Sequence, residues 1–398
     1  MSFERILDID LPKQQSCFLF GARQTGKTSY LRVKFPSAKV IDLLKTDLYL
    51  RYQENPSYLR EDLLALKVDS LHQLVVIDEV QKIPQLLDEV HWLIENTKMN
   101  FILCGSSARQ LKRSGVNLLG GRAWSFKMFP LVYPELGKDL DLLKIFNRGL
   151  LPSHYLSKNP LKDLEAYTQD YLTEEIKAES LVRNLSAFSK FLKSIAFSHG
   201  ELTNYSNIAR DCGVDAKTVK EYYQILIDTL LGYYLEPFSR KVTRDTIRST
   251  PKFYLFDVGL ANYICQREMK SLQGAEAGKS LEHYIFLELL ACIKYRGLRY
   301  DLQFWRTQDA KHEVDFIISK QNEPLSAIEI KITTKASKQD YKSLLSFHKE
   351  FPGTKLILVS QDPVKRLVKL DDSTEILVYP YLEFLQDLWS DFFDKINQ

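Results

Sequence analysis

Apolar and polar positions follow a repeating pattern over residues 1 to about 135. Short apolar runs, bounded by Gly, Asp or Ser, are separated by helix-length amphipathic stretches; the runs are "SCFLF", "AKVIDL", "LVVIDE" and "NFILCGSS". Runs of this kind are typical of buried parallel strands joined by crossover helices. The pattern therefore predicts an α/β fold whose parallel sheet has helices on both faces.

The pattern changes twice further along the chain. From about residue 160 to 235, apolar residues recur at helical spacing, as in "YLTEEIKAESL", "FSKFLKSIAFSHG" and "AKTVKEYYQILIDTLLG". From about residue 275, a helix "KSLEHYIFLELLACIKY" precedes the strand-like runs "LQFWRT", "EVDFII" and "LSAIEIKI". A chain of 398 residues is too long for one ordinary core, so we expect three domains, 1–160, 161–260 and 261–398.

Composition and charge indicate where the protein works more than what it does. The formal net charge of +3 is nearly neutral for this length, so a nucleic-acid-binding face would have to be local. The five cysteines are scattered and include no CxxC pair, which favours reduced, buried thiols. No run reaches the roughly 20 apolar residues needed to span a bilayer, and the polar N-terminus contains no signal core. We therefore expect a cytoplasmic protein without a membrane partner.

The segment "GARQTGKT" fits the phosphate-loop pattern G-x-x-x-x-G-K-[ST] in full. A strand precedes it and a helix follows it, as phosphate binding requires. The glycines let backbone N–H groups approach phosphate oxygens, the lysine reaches the β- and γ-phosphates, and the threonine hydroxyl binds Mg²⁺. The predicted ATP-binding residues are Gly21, Ala22, Arg23, Gln24, Thr25, Gly26, Lys27, Thr28, Ser29 and Asp78.

Two later strands supply the predicted partners of this loop. "LVVIDE" delivers Asp78 to the end of a strand as a Mg²⁺ ligand beside Thr28, and Glu79 as the group that polarises an attacking water. "NFILCGSS" ends in Ser106 and Ser107, one of which could sense the γ-phosphate or the water. The serine pair could equally cap the next helix.

Arg122, in "GGRAWSFKMFPL", precedes a further strand. In oligomeric ATPases an arginine at this point can reach a neighbouring subunit's γ-phosphate, which would make the protein a homo-oligomer. The alternative is a solvated arginine in a turn.

The order of motifs resembles a known family. "GARQTGKT", "LVVIDEVQKIP", "FILCGSSARQLKRSGVNLLGGRAWSFKMFPL", "YYLEPF", "FDVGLANYI" and "EVDFII…AIEIK" together resemble prokaryotic ATP-binding proteins with an AAA-type ATPase followed by the DUF4143 region. The resemblance covers nearly the whole chain. It implies an AAA-like fold, with Asp78 and Glu79 in the Walker B roles and Ser106 or Ser107 in the sensor role.

"NYSNIARDCGVDAKTVKEYYQILIDTLL" fits a helix-turn-helix, with Gly213 in the turn and Asp215 capping the second helix. The strands "YYLEPF" and "KFYLFD" would form a wing, giving a winged-helix domain. DNA could meet the second helix and the basic segment between the strands. Alternatively, the domain is a protein-contact module with a solvated basic hairpin. The proposed DNA contacts are Lys217, Lys220, Gln224, Arg240, Lys241, Arg244, Arg248 and Lys252, opposed only by Asp245.

The C-terminal region contains a carboxylate set similar to the PD-(D/E)XK nuclease core, although Val314 replaces the leading proline. Asp315 lies in an apolar strand, and Glu329 and Lys331 alternate on the next one, so their side chains share a face. Asp315, Glu329 and Glu282 would bind Mg²⁺ or Mn²⁺, and Lys331 would activate a water. Glu313 is a reserve ligand, whereas Gln308 and His312 are expected at the surface. The alternative is a structural ion pair or a relic domain that only binds.

We therefore expect an α/β protein in three parts: an AAA-like P-loop parallel sheet, a helical winged-helix domain, and a mixed α/β restriction-endonuclease-like domain. Three functions compete. The first is an ATP-hydrolysing protein coupled to a metal-dependent nuclease-like domain acting on DNA. The second is a regulatory ATPase switch that binds protein or nucleic acid without cleaving it, and the third is a scaffold with slow ATP turnover.

Overall fold

The computed structural model describes residues 3–12, 15–66, 74–107, 111, 119–171, 184–240, 250–370 and 374–397. The chain separates into two compact units: unit 1 is Met1–Pro130 with Gln224–Leu231, and unit 2 is Leu131–Tyr223 with Gly232–Gln398. The division into three domains ending at residues 160 and 260 stays a prediction.

Unit 1 is built, in its described residues, on a five-stranded sheet, as the apolar runs predicted. Its neighbouring strands are parallel and lie in the order β2-β3-β4-β1-β5. The strands are β1 Ser16–Phe20, β2 Lys39–Asp42, β3 Leu74–Asp78, β4 Asn100–Gly105 and β5 Ala123–Lys127. The expectation that "AKVIDL" is a buried strand is wrong in part: β2 is the last strand on its side of the described sheet, and of its residues only Ile41 is fully buried.

The helices of unit 1 bury their apolar residues in the same core as the strands. In α4, for example, Leu86, Leu87, Val90 and Leu93 recur at helical spacing and are fully buried. The helices are α1 Lys27–Lys34, α2 Thr46–Glu54, α3 Ser57–Leu64 and α4 Leu86–Asn96.

The strand order decides which loops meet in unit 1. Parallel strands end at one edge of the sheet, and β4 lies between β1 and β3. The loop after β1, Asp78 at the end of β3 and the serines after β4 therefore meet at the same edge.

Unit 2 begins with helices and continues into a mixed α/β region. Its helices, with α11 extending past Tyr223, are α5 Tyr133–Leu136, α6 Leu142–Arg148, α7 Pro152–Leu156, α8 Pro160–Ala166, α9 Leu185–Phe197, α10 Tyr205–Cys212, α11 Ala216–Asp228, α12 Val258–Ile264, α13 Gly274–Tyr295, α14 Lys342–Glu350, α15 Tyr381–Trp389 and α16 Phe392–Ile396. The helix predicted from "YLTEEIKAESL" falls mainly on residues 172–181, outside the described residues.

The sheet of unit 2, over the ranges given above, has eight strands in the order β12-β13-β11-β10-β9-β8-β6-β7. Strand β9 is antiparallel to both of its neighbours, β8 and β10. Strand β11 is parallel to both of its neighbours, β10 and β13. The strands are β6 Gly232–Pro237, β7 Lys252–Leu255, β8 Asp301–Arg306, β9 Glu313–Lys320, β10 Glu323–Ile330, β11 Lys355–Ser360, β12 Arg366–Lys369 and β13 Glu375–Pro380.

The two strands predicted as a wing belong to this larger sheet. β6 and β7 form an antiparallel pair, and the end of β6 pairs with β8 in parallel through Glu236–Gln303 and Pro237–Phe304. The hairpin and the C-terminal strands are therefore one continuous hydrogen-bonded structure.

Helices capable of crossing a bilayer were not found in the part of the chain that the structure describes.

Candidate functional site

The phosphate loop joins β1 to α1 with a backbone that depends on its glycines. Gln24 and Gly26 have φ values of 60° and 92°, in the left-handed region that suits glycine best. A Cβ on Gly21 would lie 2.6 Å from the Met128 carbonyl oxygen, so a side chain there would push the loop from β5. The loop is therefore held close to the sheet edge, with its N–H groups at the start of α1.

The two residues that close the loop reach different partners. Lys27 is buried, and its Nζ donates to the carbonyl oxygens of Gly21, at 2.6 Å, and Ala22, at 3.0 Å. Thr28 Oγ1 donates to Asp78 Oδ2 at 2.6 Å. A hydroxyl and a carboxylate at this separation are the hard oxygen ligands that Mg²⁺ prefers, so Thr28 and Asp78 fit a magnesium site.

The other predicted loop residues surround this pair. Thr25 is buried and donates from Oγ1 to the Ala22 carbonyl oxygen at 2.8 Å. Arg23 is half-buried, and Gln24 and Ser29 are exposed. Sequence reasoning missed Arg5, whose guanidinium donates to the carbonyl oxygens of Thr25 and, at 2.7 Å, Phe129. An isolated arginine in a polar segment gives no sequence signal of such a contact.

Glu79 lies at the end of β3, next to Asp78, with its side chain buried. Its backbone is left-handed, with φ of 59°, and its N–H donates to Asp78 Oδ1 at 3.1 Å. Burial raises the pKa of the Glu79 carboxyl above its ordinary value, with Asp78 adding to the rise, while Lys27 and Arg23 oppose it. A carboxylate in this setting holds a proton more readily than one in water, which suits a general base.

Ser106 and Ser107 follow β4, between the phosphate loop and Glu79, and both are buried. Ser106 Oγ accepts a hydrogen bond from Gln81 Nε2 at 3.1 Å, and the same nitrogen donates to Glu79 Oε2 at 2.5 Å. The sequence reasoning did not assign Gln81. The sequence gives little signal for it, because Gln81 lies among the other polar residues Glu79, Lys82 and Gln85.

Arg122 precedes β5 and is half-exposed. Its guanidinium forms an ion pair with Glu95 Oε1 at 2.6 Å, and its carbonyl oxygen accepts from Gln15. Its action on a neighbouring subunit stays a prediction.

In unit 2 the structure brings the predicted carboxylates together. Glu282 lies on α13, Asp315 in β9 and Glu329 in β10, and Lys331 follows β10 directly. Asp315 Oδ2 accepts a hydrogen bond from the Ile330 N–H at 2.8 Å, which joins β9 to the end of β10 beside Glu329. The set therefore comes from three separate elements of the fold.

Two lysines share this carboxylate cluster. Lys331 Nζ lies 2.5 Å from Glu329 Oε1. Lys252 is 2% exposed, and its Nζ lies 2.7 Å from Glu313 and 3.6 Å from Glu282. The prediction that Lys252 belongs to an exposed basic hairpin is therefore wrong, because β7 places it inside the sheet, where only paired cations are stable.

The charges of the cluster act on one another. Burial raises the pKa of Asp315 well above its ordinary value, and Glu329 and Glu282 raise it further, against Lys331 and Lys252. Burial also raises the pKa of Glu329 to about 6, and Lys331 opposes that rise. Burial alone would lower the pKa of Lys252 and of Lys331, but the carboxylates around them bring both above the ordinary lysine value.

The cluster fits a divalent metal only in part. Glu329 Oε2 is buried and has no hydrogen-bond partner among the described residues, so it could bind a hard cation. Glu282, however, accepts from the Tyr254 hydroxyl at 2.5 Å and lies beside Lys252. Within the described ranges, no group of three or more His, Cys, Asp and Glu side chains is arranged to hold a metal.

The helix-turn-helix segment has the local structure that its sequence indicates. Gly213 ends α10 with φ of 69°, and Asp215 Oδ1 accepts from the Thr218 N–H at 2.7 Å at the start of α11. The predicted contacts Lys217, Lys220 and Gln224 are exposed on α11. Arg240 forms an ion pair with Glu323, whereas Lys241, Arg244, Asp245 and Arg248 lie outside the described residues.

Three family models match consecutive parts of the chain. Residues 13–137 match an AAA domain (AAA_14), 139–271 match a domain of unknown function (DUF8612), and 277–382 match another (DUF4143). The predicted resemblance to AAA-type proteins with a C-terminal DUF4143 region is confirmed. The sequence reasoning did not identify the middle family, which overlaps the predicted winged-helix domain.

Two curated mycobacterial proteins are similar over much of their length. Rv2008c of Mycobacterium tuberculosis (strain ATCC 25618 / H37Rv) and Mb2031c of Mycobacterium bovis (strain ATCC BAA-935 / AF2122/97) are both described as uncharacterized. Each is 28% identical over 330 residues, which are 80% of this chain and 70% of the relative. They indicate relationship without supplying a function.

Solved structures with some similarity to this chain have low TM-scores. The Aeropyrum pernix ORC1 protein in complex with DNA is 12% identical, with a TM-score of 0.22 over 63% of this chain and 86% of that chain. Can2 from Sulfobacillus thermosulfidooxidans, in complex with cyclic tetra-adenylate, is 10% identical, with a TM-score of 0.23 over 96% of this chain and 100% of that chain. The AAA domain supports ATPase activity in general and implies nucleotide binding.

Proposed function

We propose that unit 1 binds Mg²⁺–ATP at Gly21–Thr28 and hydrolyses it. The observation that carries the proposal is the 2.6 Å hydrogen bond between Thr28 Oγ1 and Asp78 Oδ2, because it joins the phosphate loop to the β3 carboxylate at one sheet edge. Mg²⁺ bound there would neutralise charge on the phosphates.

Each residue then has a distinct task. The loop N–H groups and Lys27 bind phosphate oxygens, and Thr28 and Asp78 hold the metal. Glu79 accepts a proton from the attacking water, supported by its burial and raised pKa. Ser106 or Ser107 contacts the γ-phosphate or the water, in keeping with their position between the loop and Glu79.

The test is phosphate release from ATP by Lys27→Ala. We expect hydrolysis to fall to background, since the variant removes the cation that reaches the phosphates. Lys34→Ala is the matched control, because Lys34 lies on the same helix but forms an exposed ion pair with Asp8. Full turnover by Lys27→Ala would refute the proposal.

A neighbouring copy of this chain is the proposed partner of Arg122. To act in trans, Arg122 would have to leave Glu95, which it now contacts at 2.6 Å. Arg122→Ala and Lys27→Ala proteins should each be inactive alone and recover hydrolysis when mixed, because a mixed assembly combines an intact loop with an intact arginine. Failure to recover in a mixed oligomer would remove the trans role.

A second proposed function concerns unit 2: metal-dependent cleavage of DNA at the carboxylate cluster, coupled to nucleotide state. The convergence of Asp315, Glu329 and Lys331 supports it, together with the buried Glu329 Oε2, which no described residue hydrogen-bonds. The lysine pairing of Glu282 and Glu329 favours the alternative, a regulatory switch that binds nucleic acid or protein without cutting.

Plasmid and single-stranded DNA, incubated with Mg²⁺ or Mn²⁺ with and without ATP, separate these two functions. A nuclease should cut only with metal and lose activity in an Asp315→Ala, Glu329→Ala double variant. The control is Asp309→Ala with Glu375→Ala, two exposed carboxylates of the same unit. Absence of cutting with hydrolysis intact would favour the switch.

A further inference from the structure

We propose that Gln81 is a positioning residue for ATP hydrolysis, which holds the Glu79 carboxylate and connects it to Ser106. The inference rests on the proposed hydrolysis at unit 1 and adds a residue to that site. Gln81 is assigned no contact with the reacting atoms; it acts through its two neighbours.

The backbone brings Gln81 back toward the sheet edge. Glu79 adopts a left-handed conformation, and a short 3₁₀ turn, Val80–Lys82, follows at once. This reversal directs the Gln81 side chain inward, where only 6% of the residue is exposed. Its Nε2 has hydrogen-bond partners, whereas its Oε1 is buried without one among the described residues. A buried amide oxygen without a partner costs free energy, so the contacts of Nε2 have to hold the side chain in this position.

One nitrogen makes both contacts. Gln81 Nε2 lies 2.5 Å from Glu79 Oε2 and 3.1 Å from Ser106 Oγ. An amide NH₂ has two hydrogens, so each neighbour can receive one. The Glu79 carboxylate only accepts when ionised, which fixes the amide with its nitrogen toward Glu79 and its oxygen away.

The space for this amide exists because residue 105 is a glycine. A Cβ at Gly105 would lie 2.2 Å from Gln81 Oε1 and 3.2 Å from Gln81 Cδ. Any larger residue at the end of β4 would therefore displace the amide from both partners. Gly105, at the end of β4, and Gln81, just after the neighbouring strand β3, form a matched pair.

The contacts of Gln81 with Glu79 and with Ser106 have different consequences for the site. Because Gln81 binds Glu79 Oε2, the carboxylate keeps one orientation and presents Oε1 to a water. Because Ser106 Oγ accepts from Gln81, its own O–H can be donated to another acceptor, as a sensor of phosphate requires. Movement of Ser106 on phosphate contact would reach Glu79 through a single side chain.

The first test is Gln81→Met, which keeps the length of the side chain and removes both N–H donors. We expect kcat to fall roughly 10- to 100-fold, the scale of a misplaced catalytic group. KM and the affinity for a fluorescent ATP analogue should stay within about twofold, because the Gln81 amide acts on Glu79 and Ser106 rather than on the phosphate loop. Gln85→Met, at an exposed glutamine one turn later, is the matched control.

The second test uses the glycine. Gly105→Ala should lower kcat by a similar factor, because its methyl group displaces the amide. In a Gln81→Ala background the same substitution should have no further effect, since there is no amide to displace. Such non-additivity separates positioning from a general loss of packing.

The outcomes are distinct from failure of the proposed function. Retained kcat in Gln81→Met, with hydrolysis abolished in Glu79→Gln, overturns this inference alone. Loss of ATP binding together with kcat also overturns it, because Gln81 would then be structural. Retained hydrolysis in Lys27→Ala would instead overturn the proposed function, and retained hydrolysis in Glu79→Gln would overturn the role of Glu79 as the base.

Discussion

At the residue scale, Lys252 is the clearest case of a side chain defined by its neighbours. It is almost fully buried, yet Glu313 and Glu282 keep it charged. Its position at the start of β7 ties the β6–β7 hairpin to the carboxylate cluster. Removing one member of a buried ion pair leaves the other charges without compensation.

We therefore predict that Lys252→Met lowers the free energy of unfolding by roughly 3 to 5 kcal/mol. Urea denaturation followed by circular dichroism measures the change. Lys311→Met, at a 75% exposed side chain paired with Asp309, is the control and should change it by under about 1 kcal/mol. If the two variants were equally stable, the charge of Lys252 would not contribute to the free energy of unfolding.

Glu288 gives a second residue-scale prediction, on pH. It accepts from the Tyr133 N–H and from Trp389 Nε1, yet burial raises its pKa from 4.5 to about 8. Between these values the folded state holds a proton that the unfolded state has released, so stability falls as pH rises.

The variant Glu288→Gln has no ionisable group at this position. We expect its free energy of unfolding, relative to the wild type, to increase from pH 5 to pH 8, by at most about 1.4 kcal/mol per pH unit. Melting temperatures across this range measure the difference, with the exposed Glu375→Gln as control. A difference that does not change with pH would contradict the assignment.

Residues close in sequence were easier to predict than residues joined only by the fold. Gly21–Thr28 is one continuous segment, and Asp78 follows from the rule that parallel strands end at a common edge. Gln81 and Lys252 could not be found in this way. The contact of Gln81 depends on the left-handed Glu79 and on Gly105, and that of Lys252 on strand pairing across the hairpin.

At the scale of elements, periodicity identified the strands and helices but not their arrangement. The apolar runs gave β1, β3 and β4 within a residue or two, because buried parallel strands are continuously apolar. The order β2-β3-β4-β1-β5 is set by crossovers that periodicity does not encode. This order matters because it places Ser106 between the loop and Glu79.

The helix-turn-helix segment leads to the prediction at this scale. If α11 contacts a phosphate backbone, Lys217→Glu with Lys220→Glu should weaken DNA binding. The slope of log K against log salt concentration should also become shallower by about 0.9 for each phosphate that the helix no longer neutralises. Electrophoretic mobility at several salt concentrations measures both. The control is Lys190→Glu with Lys193→Glu on α9, two other exposed lysines. Equal effects of the two pairs would remove α11 as a DNA-binding element.

At the scale of the whole molecule, the chain has two compact units, and the three domains expected from changes of pattern stay a prediction. Within unit 2, β6 pairs with β8 through Glu236–Gln303, residues far apart in the sequence. A hairpin assigned to a winged helix is thereby an extension of the C-terminal sheet. Long-range pairing of this kind leaves no local mark in the sequence.

Hydrolysis of ATP by Glu79 beside the Thr28–Asp78 pair is the central claim about this molecule. The most direct measurement compares ATP binding and phosphate release in Glu79→Gln, which preserves shape and removes the base. We predict ATP affinity close to that of the wild type and a loss of phosphate release of at least about 100-fold. Phosphate release at the wild-type rate in this variant would contradict the claim.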